Sequence, residues 1–373
     1  MPADADSGSG GEWRALKREL RPHFLDPLRP LEEDRFHALA LAAFRFQYLG
    51  SEVYRRFCDG RGATPDRVTR WQDVPAVPAT AFKHLDLGAT PGVPEAVFLT
   101  SGTTAGSGRR GRHPVPSLSL YRAAAVPWFG AHLVPEGGRL PVLALVPSPD
   151  RAPTSSLSTM MGFAIEAFGS AASGFFADAE TGVAHDAFQD ALRDAEHAGE
   201  AVLVMGTAFA WVHWLEHATA HGVRVRLPEG SRLMETGGFK GRSRAVPRGE
   251  LYRELSARLG IPQARMVNEY GMTELLSQLY EPVLRAPGGP RVHRAPPWMR
   301  VRALDPETLA PRAPGDSGIL AFHDLANVGS VCAVLTEDLG SVDDEGVHLE
   351  GRIAGAEPRG CSLAMESLLG EGR

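Results

Sequence analysis

Residues 201–221 read AVLVMGTAFAWVHWLEHATAH, an apolar run of strand length followed by a segment in which apolar residues recur at helical spacing. A strand that hands directly to a helix is half of a βαβ unit, since parallel strands need a crossover connection. The same alternation extends on both sides. VLALVPS at 142–148, AVFLTS at 96–101 and VRVRL at 223–227 have strand length and composition, while SLSLYRAAAVPWFGAHL at 117–133 and HDAFQDALRDAEHA at 185–198 are helical in pattern. This predicts an α/β fold with a parallel sheet buried under helices. From about Val301 the pattern changes to short β-like pieces, GILAFHDLANV, SVCAVLTEDLG and VHLEGRI, broken by Gly, Pro and Asp, which predicts a small, mostly antiparallel β-rich subdomain.

Toward the N-terminus, Leu16, Leu20, Phe36, Leu39, Leu41, Ala43, Phe44 and Tyr48 predict helices out to about Cys58, and DVPAVPATAFKHLDL, with Pro75 and Pro78, an extended connection. The expected division is a disordered tail at 1–12, a helical region at 13–92, an α/β core at 93–300 and the β-rich subdomain at 301–373.

The 373 residues are 43% hydrophobic and 23% charged, which describes a globular protein and excludes a collagenous or wholly disordered one. A formal net charge of -6 lacks the basic surplus of a dedicated nucleic-acid binder. Cys58, Cys332 and Cys361 form no CxxC pair and no zinc spacing, so neither a disulfide framework nor a zinc module is expected. The acidic, Gly/Ser-rich start does not resemble a signal or transit peptide, and no apolar run approaches the ~20 residues of a membrane span. A cytoplasmic protein without membrane or nucleic-acid partners is expected.

Two motifs carry chemistry. Residues 98–109, FLTSGTTAGSGR, run a strand into a loop of hydroxyl side chains and glycines; glycine lets backbone N–H groups approach phosphate oxygens, and hydroxyls add donors. The loop is not a Walker sequence. It contains a GxGxxG by letter at 106–111, but without the helix and acidic residue of a dinucleotide site, and a plain surface loop is the alternative. The second motif, NEYGMTE at 268–274, precedes LLSQLYEPVL, which has a helical pattern. Its aromatic ring can stack on a base, and a threonine and a carboxylate follow in position to hold a phosphate and its Mg²⁺; a capped helix start is the plain alternative.

Taken together, TSGTT and YGMTE resemble the adenylate-forming superfamily of acyl-CoA ligases and adenylation domains. VPATAFK at 77–83, TGGFK at 236–240, NEYGMTE, LTEDLG at 335–340 and GRIAGAEPRGCSL at 351–363 are most similar to the LuxE-like acyl-protein synthetases and, more distantly, to phenylacetate-CoA ligases. The resemblance spans about residues 30–369. It implies an adenylate-forming N-terminal domain of α/β subdomains plus a β-rich subdomain, ATP and Mg²⁺ as cofactors, and conversion of a fatty or aromatic carboxylic acid to acyl-AMP followed by transfer to a thiol.

Carried over by motif position, Thr100, Ser101, Thr103 and Thr104, with Gly102, Gly106 and Arg109 of the same loop, face the β and γ phosphates. Gly237 and Gly238 flank adenine, Tyr270 stacks on it with Glu269 and Gly271 beside it, Thr273 contacts the α phosphate and Glu274 binds Mg²⁺. Asp338 accepts from the ribose hydroxyls and Arg352 is the basic residue near the ribose. Attack of a carboxylate on phosphorus needs positioning and charge neutralisation more than covalent help, so this set is chemically coherent.

The sequence departs from the superfamily pattern after Arg352. The chain ends at Arg373, so the mobile C-terminal domain and its catalytic lysine are expected to be largely missing. The three lysines are Lys17, Lys83 and Lys240; Lys240 is the expected replacement cation, with a solvated surface lysine as the alternative. Cys361 matches the cysteine that relays the acyl group in the bioluminescence enzymes, and neighbouring Arg359 favours its thiolate; an inert buried cysteine is the alternative. The acceptor beyond it would be a protein, an acyl reductase or a carrier, with CoA as the other acceptor and a non-catalytic adenylate-binding relic as the third reading. The acyl pocket is expected from segments 155–169 and 206–209. His213, His217 and His221 share a helix face and are expected to be a half-buried surface, and Arg109, Arg110, Arg112 and His113 a basic rim to the nucleotide site.

Overall fold

The computed structural model of the chain describes residues 9–100, 110–237 and 246–352. Three helices open it: α1 (Ser9–Leu25), α2 (Glu33–Gly50) and α3 (Glu52–Gly60). Residues 9–12 of the expected tail are the first turn of α1. Glu12 favours that turn electrostatically, and Trp13, stacked on Phe46 at 6.0 Å, packs beside the buried Leu16, Leu20 and Phe24. Each such buried side chain stabilises the fold by about 1.5–3 kcal/mol, enough to draw a polar leader into the helix.

Next come β1 (Val77–Pro78), β2 (Ala96–Leu99), β3 (Arg112–Val115), α4 (Leu118–Leu133), β4 (Val142–Leu145), α5 (Ser156–Phe168), β5 (Gly174–Phe175), β6 (Ala177–Asp178), β7 (Gly182–Val183) and α6 (His185–Ala198). They are followed by β8 (Leu203–Thr207), α7 (Ala208–Ala220), β9 (Arg232–Thr236), α8 (Arg248–Leu259), β10 (Met266–Tyr270) and β11 (Leu279–Tyr280). The chain continues through β12 (Met299–Leu304), β13 (Gly318–Asp324), β14 (Ala333–Asp343) and β15 (Gly346–Arg352). Ser117, Ser155 and Thr207 cap α4, α5 and α7 by accepting from the third residue on, which starts these helices where the sequence places them.

The central sheet runs β11-β10-β9-β8-β4-β5, parallel from β10 to β5, with β11 antiparallel at one edge. Its central strands β4, β8 and β9 are buried on both faces, as a sheet covered by helices requires. The second sheet, β1-β14-β13-β12 with β15 on β14, is antiparallel except for the pairing of β1 with β14. The N-terminal region thus lends a strand to the C-terminal sheet, through Val77 opposite Val334 and Pro78 opposite Leu335.

Three local expectations are corrected. Segment 96–101 does not join the parallel sheet; β2 pairs with β3 in a separate hairpin. VRVRL is extended but not a strand, because Val225 and Leu227 donate to the carbonyls of Arg258 and Leu259 at the end of α8. LLSQLYEPVL is not a helix: Leu276 N–H donates to Asp324, and Leu279 and Tyr280 pair with β10, so tertiary partners take up the backbone groups a helix would use.

Candidate active site

The carboxyl ends of β9 and β10 point to one edge of the parallel sheet, where open α/β sheets bind ligands. Register places Asn268 opposite Glu235 and Glu269 opposite Thr236, so successive pairs lie on opposite faces. On one face, Asn268 donates to the Glu235 carboxylate and its Oδ1 lies 2.8 Å from His293 Nε2; the amide oxygen only accepts, so His293 is the donor. Burial, with Arg248 and Arg291, pushes His293 down to about 3, which keeps it neutral.

On the other face the Thr236 hydroxyl donates to Glu269, and burial pushes that carboxyl up to about 7. A Cβ at Gly271 would stand 2.5 Å from Glu269 Oε1, so a larger residue there would have to displace that carboxyl. Gly237, just after β9, has φ +74, a backbone conformation that favours glycine. Glu269→Gln tests the buried carboxyl. A folded-state pKa raised from 4.5 means stability is present at low pH and lost as pH rises from about 4.5 through about 7. The variant escapes that loss, so urea unfolding is expected to show its stability relative to the parent growing between pH 5 and pH 8, by on the order of 1–3 kcal/mol.

The end of β10 meets the second sheet. The Tyr270 hydroxyl donates to Asp338 Oδ2 at 2.7 Å, and its ring stacks on Phe322 of β13 with centroids 5.5 Å apart. Asp338 on β14 is the register partner of Arg352 on β15, whose Nε lies 3.8 Å from Asp338 Oδ1 and whose Nη2 holds Glu337 at 2.7 Å. Burial and the Asp338 carboxylate push the Tyr270 phenol up, so it stays a donor. An aromatic ring, a carboxylate and a guanidinium from three strands thus meet at one place, Tyr270 and Asp338 half-buried and Arg352 exposed.

The loop after β10 has neither helix nor ladder to hold it, and side chains take over. His113 Nδ1 donates to the Thr273 carbonyl at 2.6 Å, and Asn327 Nδ2 to the Glu274 carbonyl at 2.7 Å. Asp324, which burial pushes up to about 6, accepts from Leu276 N–H at 3.1 Å and the Ser277 hydroxyl at 2.7 Å, while Trp128 Nε1 donates to the Gln278 carbonyl at 2.9 Å. His113 is therefore no part of a basic rim: it is buried, and desolvation pushes it down to about 4, so it is neutral.

Thr100 closes the β2–β3 hairpin. Its Oγ1 accepts from Gly111 N–H at 2.8 Å, its own N–H donates to the Gly111 carbonyl at 2.9 Å, and Arg110 Nε donates to its carbonyl at 2.7 Å. Ser101, Gly102, Thr103, Thr104, Gly106, Arg109, Gly238, Lys240 and Cys361 lie outside the described residues. Among the described residues, no group of three or more His, Cys, Asp or Glu is placed to hold a metal by itself. The histidine face of α7 is more open than expected: His213 and His221 are exposed and His217 is half-buried between His185 and His221, with ring centroids 4.2 Å away on each side. The expected acyl segment 155–169 is mostly α5, whose Met160, Met161 and Ala164 are buried in the core shared with β4 and β8.

Sequence reasoning brought out Tyr270, Asp338 and Arg352 as candidates. It missed Phe322, Asp324, Asn327 and the role of His113. Asp324 and Asn327 lie in a plain apolar string without motif character, and each reaches its partner about 50 residues away, as the Asn327 bond to Glu274 at a separation of 53 illustrates.

A family model for the acyl-protein synthetase LuxE matches residues 26–370. The long-chain-fatty-acid–luciferin-component ligase of Vibrio harveyi is 23% identical over 339 residues, covering 88% of this chain and 86% of that protein. Among solved structures, an open conformation of 2-hydroxyisobutyryl-CoA ligase with 2-HIB-AMP and CoA superposes with a TM-score of 0.59 at 15% identity, over 87% of this chain and 71% of that one. ATP-bound MatB from Rhodopseudomonas palustris is 21% identical with a TM-score of 0.45 over 69% of this chain; the match covers 48% of MatB, so the chain spans about half the length of that enzyme. These structures bear on the fold alone. Because the family model covers nearly the whole chain, the chain belongs to the LuxE acyl-protein synthetase family and, with it, to the ATP-dependent ligases built on the adenylate-forming fold.

Proposed function

We propose that the protein condenses a carboxylic acid with Mg-ATP to acyl-AMP and pyrophosphate, takes the acyl group onto Cys361 as a thioester, and delivers it to a thiol of a protein partner. The meeting of Tyr270, Asp338 and Arg352 carries the reading, because it offers a nucleoside a ring to lie against, an acceptor for ribose hydroxyls and a cation at one edge. In the first step a carboxylate oxygen of the acid bonds to the α phosphorus as the bond to the pyrophosphate oxygen breaks. Thr273 would hold an α-phosphate oxygen through its hydroxyl, and Glu274 would hold Mg²⁺, which would neutralise charge on the phosphates. In the second step the Cys361 sulfur bonds to the acyl carbon, AMP leaves with the electron pair, and the thiol proton goes to solvent.

The other two cysteines support the assignment by their chemistry. Cys58 is buried, which pushes its thiol up to about 12; Cys332 is buried too, pushed up by desolvation, and accepts from Gln47 Nε2 at 3.2 Å. Neither supplies thiolate at neutral pH. The test incubates the protein with Mg-ATP and a panel of fatty and aromatic acids, and follows pyrophosphate exchange and intact mass. A hydroxylamine-labile mass gain equal to one acyl group is the expected result. AMP release that requires CoA, without an adduct, would replace the relay by a CoA ligase. No exchange with any acid would overturn acid activation itself.

A further inference from the structure

We propose that His113 and Asn327 are positioning residues that together set the orientation of Thr273 and Glu274; this rests on the function just proposed for those two side chains. Their carbonyls are consecutive in the chain, and each is gripped by one buried side chain, at 2.6 and 2.7 Å. Peptide units are planar, so holding both carbonyls fixes the two backbone torsions of Glu274, and with them the direction in which its side chain leaves the backbone, and it anchors the peptide unit that follows Thr273.

The two donors come from different parts of the fold. His113 sits on β3 of the hairpin, its ring edge-on to Phe82 at 5.4 Å; Asn327 sits on the helical turn that follows β13. Asn327 uses its second amide hydrogen on the Val331 carbonyl at 3.1 Å, and Gln47 donates to the backbone carbonyl of Asn327 at 3.3 Å. Asn327 is therefore held by further hydrogen bonds and His113 by its packing on Phe82, with no hydrogen-bond partner among the described residues for His113 Nε2. Because a carbonyl only accepts, His113 must carry its proton on Nδ1. As neutral donors, the two hold the loop without adding a fixed charge beside Thr273 and Glu274. A loop with no ladder of its own would otherwise leave these carbonyls to water, and the two side chains free to sample several directions, which is costly where in-line transfer needs exact placement.

His113→Phe keeps the ring and its contact with Phe82 but cannot donate, whereas His113→Asn returns an amide donor near the Nδ1 position. The experiment measures melting temperature with ATP plus EDTA and with Mg-ATP, and kcat and KM for ATP in pyrophosphate exchange. His113→Phe is expected to lose the Mg²⁺-dependent part of the ATP shift and to lower kcat by about tenfold or more, with KM for ATP changed less than about threefold; His113→Asn is expected to recover most of both. A parent-like Mg²⁺-dependent shift and kcat in His113→Phe would overturn the inference, as would equal losses in both variants that follow only their melting temperatures. Should His113→Phe not fold, Asn327→Ser puts the same question at the Glu274 carbonyl. A parent that shows no shift with Mg-ATP would instead overturn the function proposed above, so the two failures are distinguishable.

Discussion

Cys361→Ser is expected to abolish the hydroxylamine-labile acyl adduct while leaving acid-dependent pyrophosphate exchange within about twofold of the parent, because the thiol enters only after acyl-AMP has formed. Serine keeps the size of the side chain and removes the nucleophile: a hydroxyl is barely ionised near neutrality, whereas an ordinary cysteine thiol, with a pKa of about 8.5, is ionised to a few per cent. The substitution therefore separates the two halves of the reaction. Transfer to a protein acceptor should fall to background, and AMP should accumulate only as fast as water attacks acyl-AMP. An adduct that survives the substitution would place the acyl group elsewhere. Cys58 and Cys332 are poor candidates because burial pushes both thiols up. A loss of exchange equal to the loss of adduct would show that the region around residue 361 acts in adenylation.

Asp338→Ala is expected to lower kcat/KM for ATP by about a hundredfold, equivalent to about 3 kcal/mol, the range for hydrogen bonds accepted by a charged group. On the ribose contact proposed above, two losses combine: the acceptor for the ribose hydroxyls, and the partner that holds the Tyr270 hydroxyl at 2.7 Å. Tyr270→Phe separates them, since it keeps the ring on Phe322 and removes only the hydroxyl; a cost under about fivefold is expected. Against 2′-deoxy-ATP the parent should discriminate by about tenfold and Asp338→Ala by less than about twofold, since a site that has lost the acceptor no longer senses the missing hydroxyl. Undiminished discrimination in Asp338→Ala would remove Asp338 from the ribose contact. Arg352, 3.8 Å from Asp338, would be left beside an uncharged side chain and should then pair with Glu337 alone.

The class of fold was legible because strand-length apolar runs alternate with helical segments in the pattern of a covered parallel sheet, and β8, the capped α7 and the parallel β9 form one such unit. Segment 275–284 shows the limit. Leucines and a tyrosine at helical spacing predicted a helix, but Asp324 and Trp128 bind its backbone and β10 binds its end, and long-range hydrogen bonds outweigh a local preference of a few tenths of a kcal/mol per residue. The hairpin of β2 and β3 was missed for a related reason: nothing in AVFLTS says which strand will lie beside it.

What the sequence by itself determined is the set of chemical groups: the hydroxyl-rich loop, the aromatic, threonine and glutamate of NEYGMTE, and the acid of LTEDLG, each carried on a short contiguous string whose residue types limit what it can do. What only the tertiary structure decided is which of these meet and in what charge state. Tyr270 and Asp338 lie 68 residues apart in the chain, and their contact depends on the parallel sheet ending against the antiparallel one. The neutrality of His113 and the raised pKa of Glu269 depend on burial, which is a property of packed surroundings and is written in no single residue.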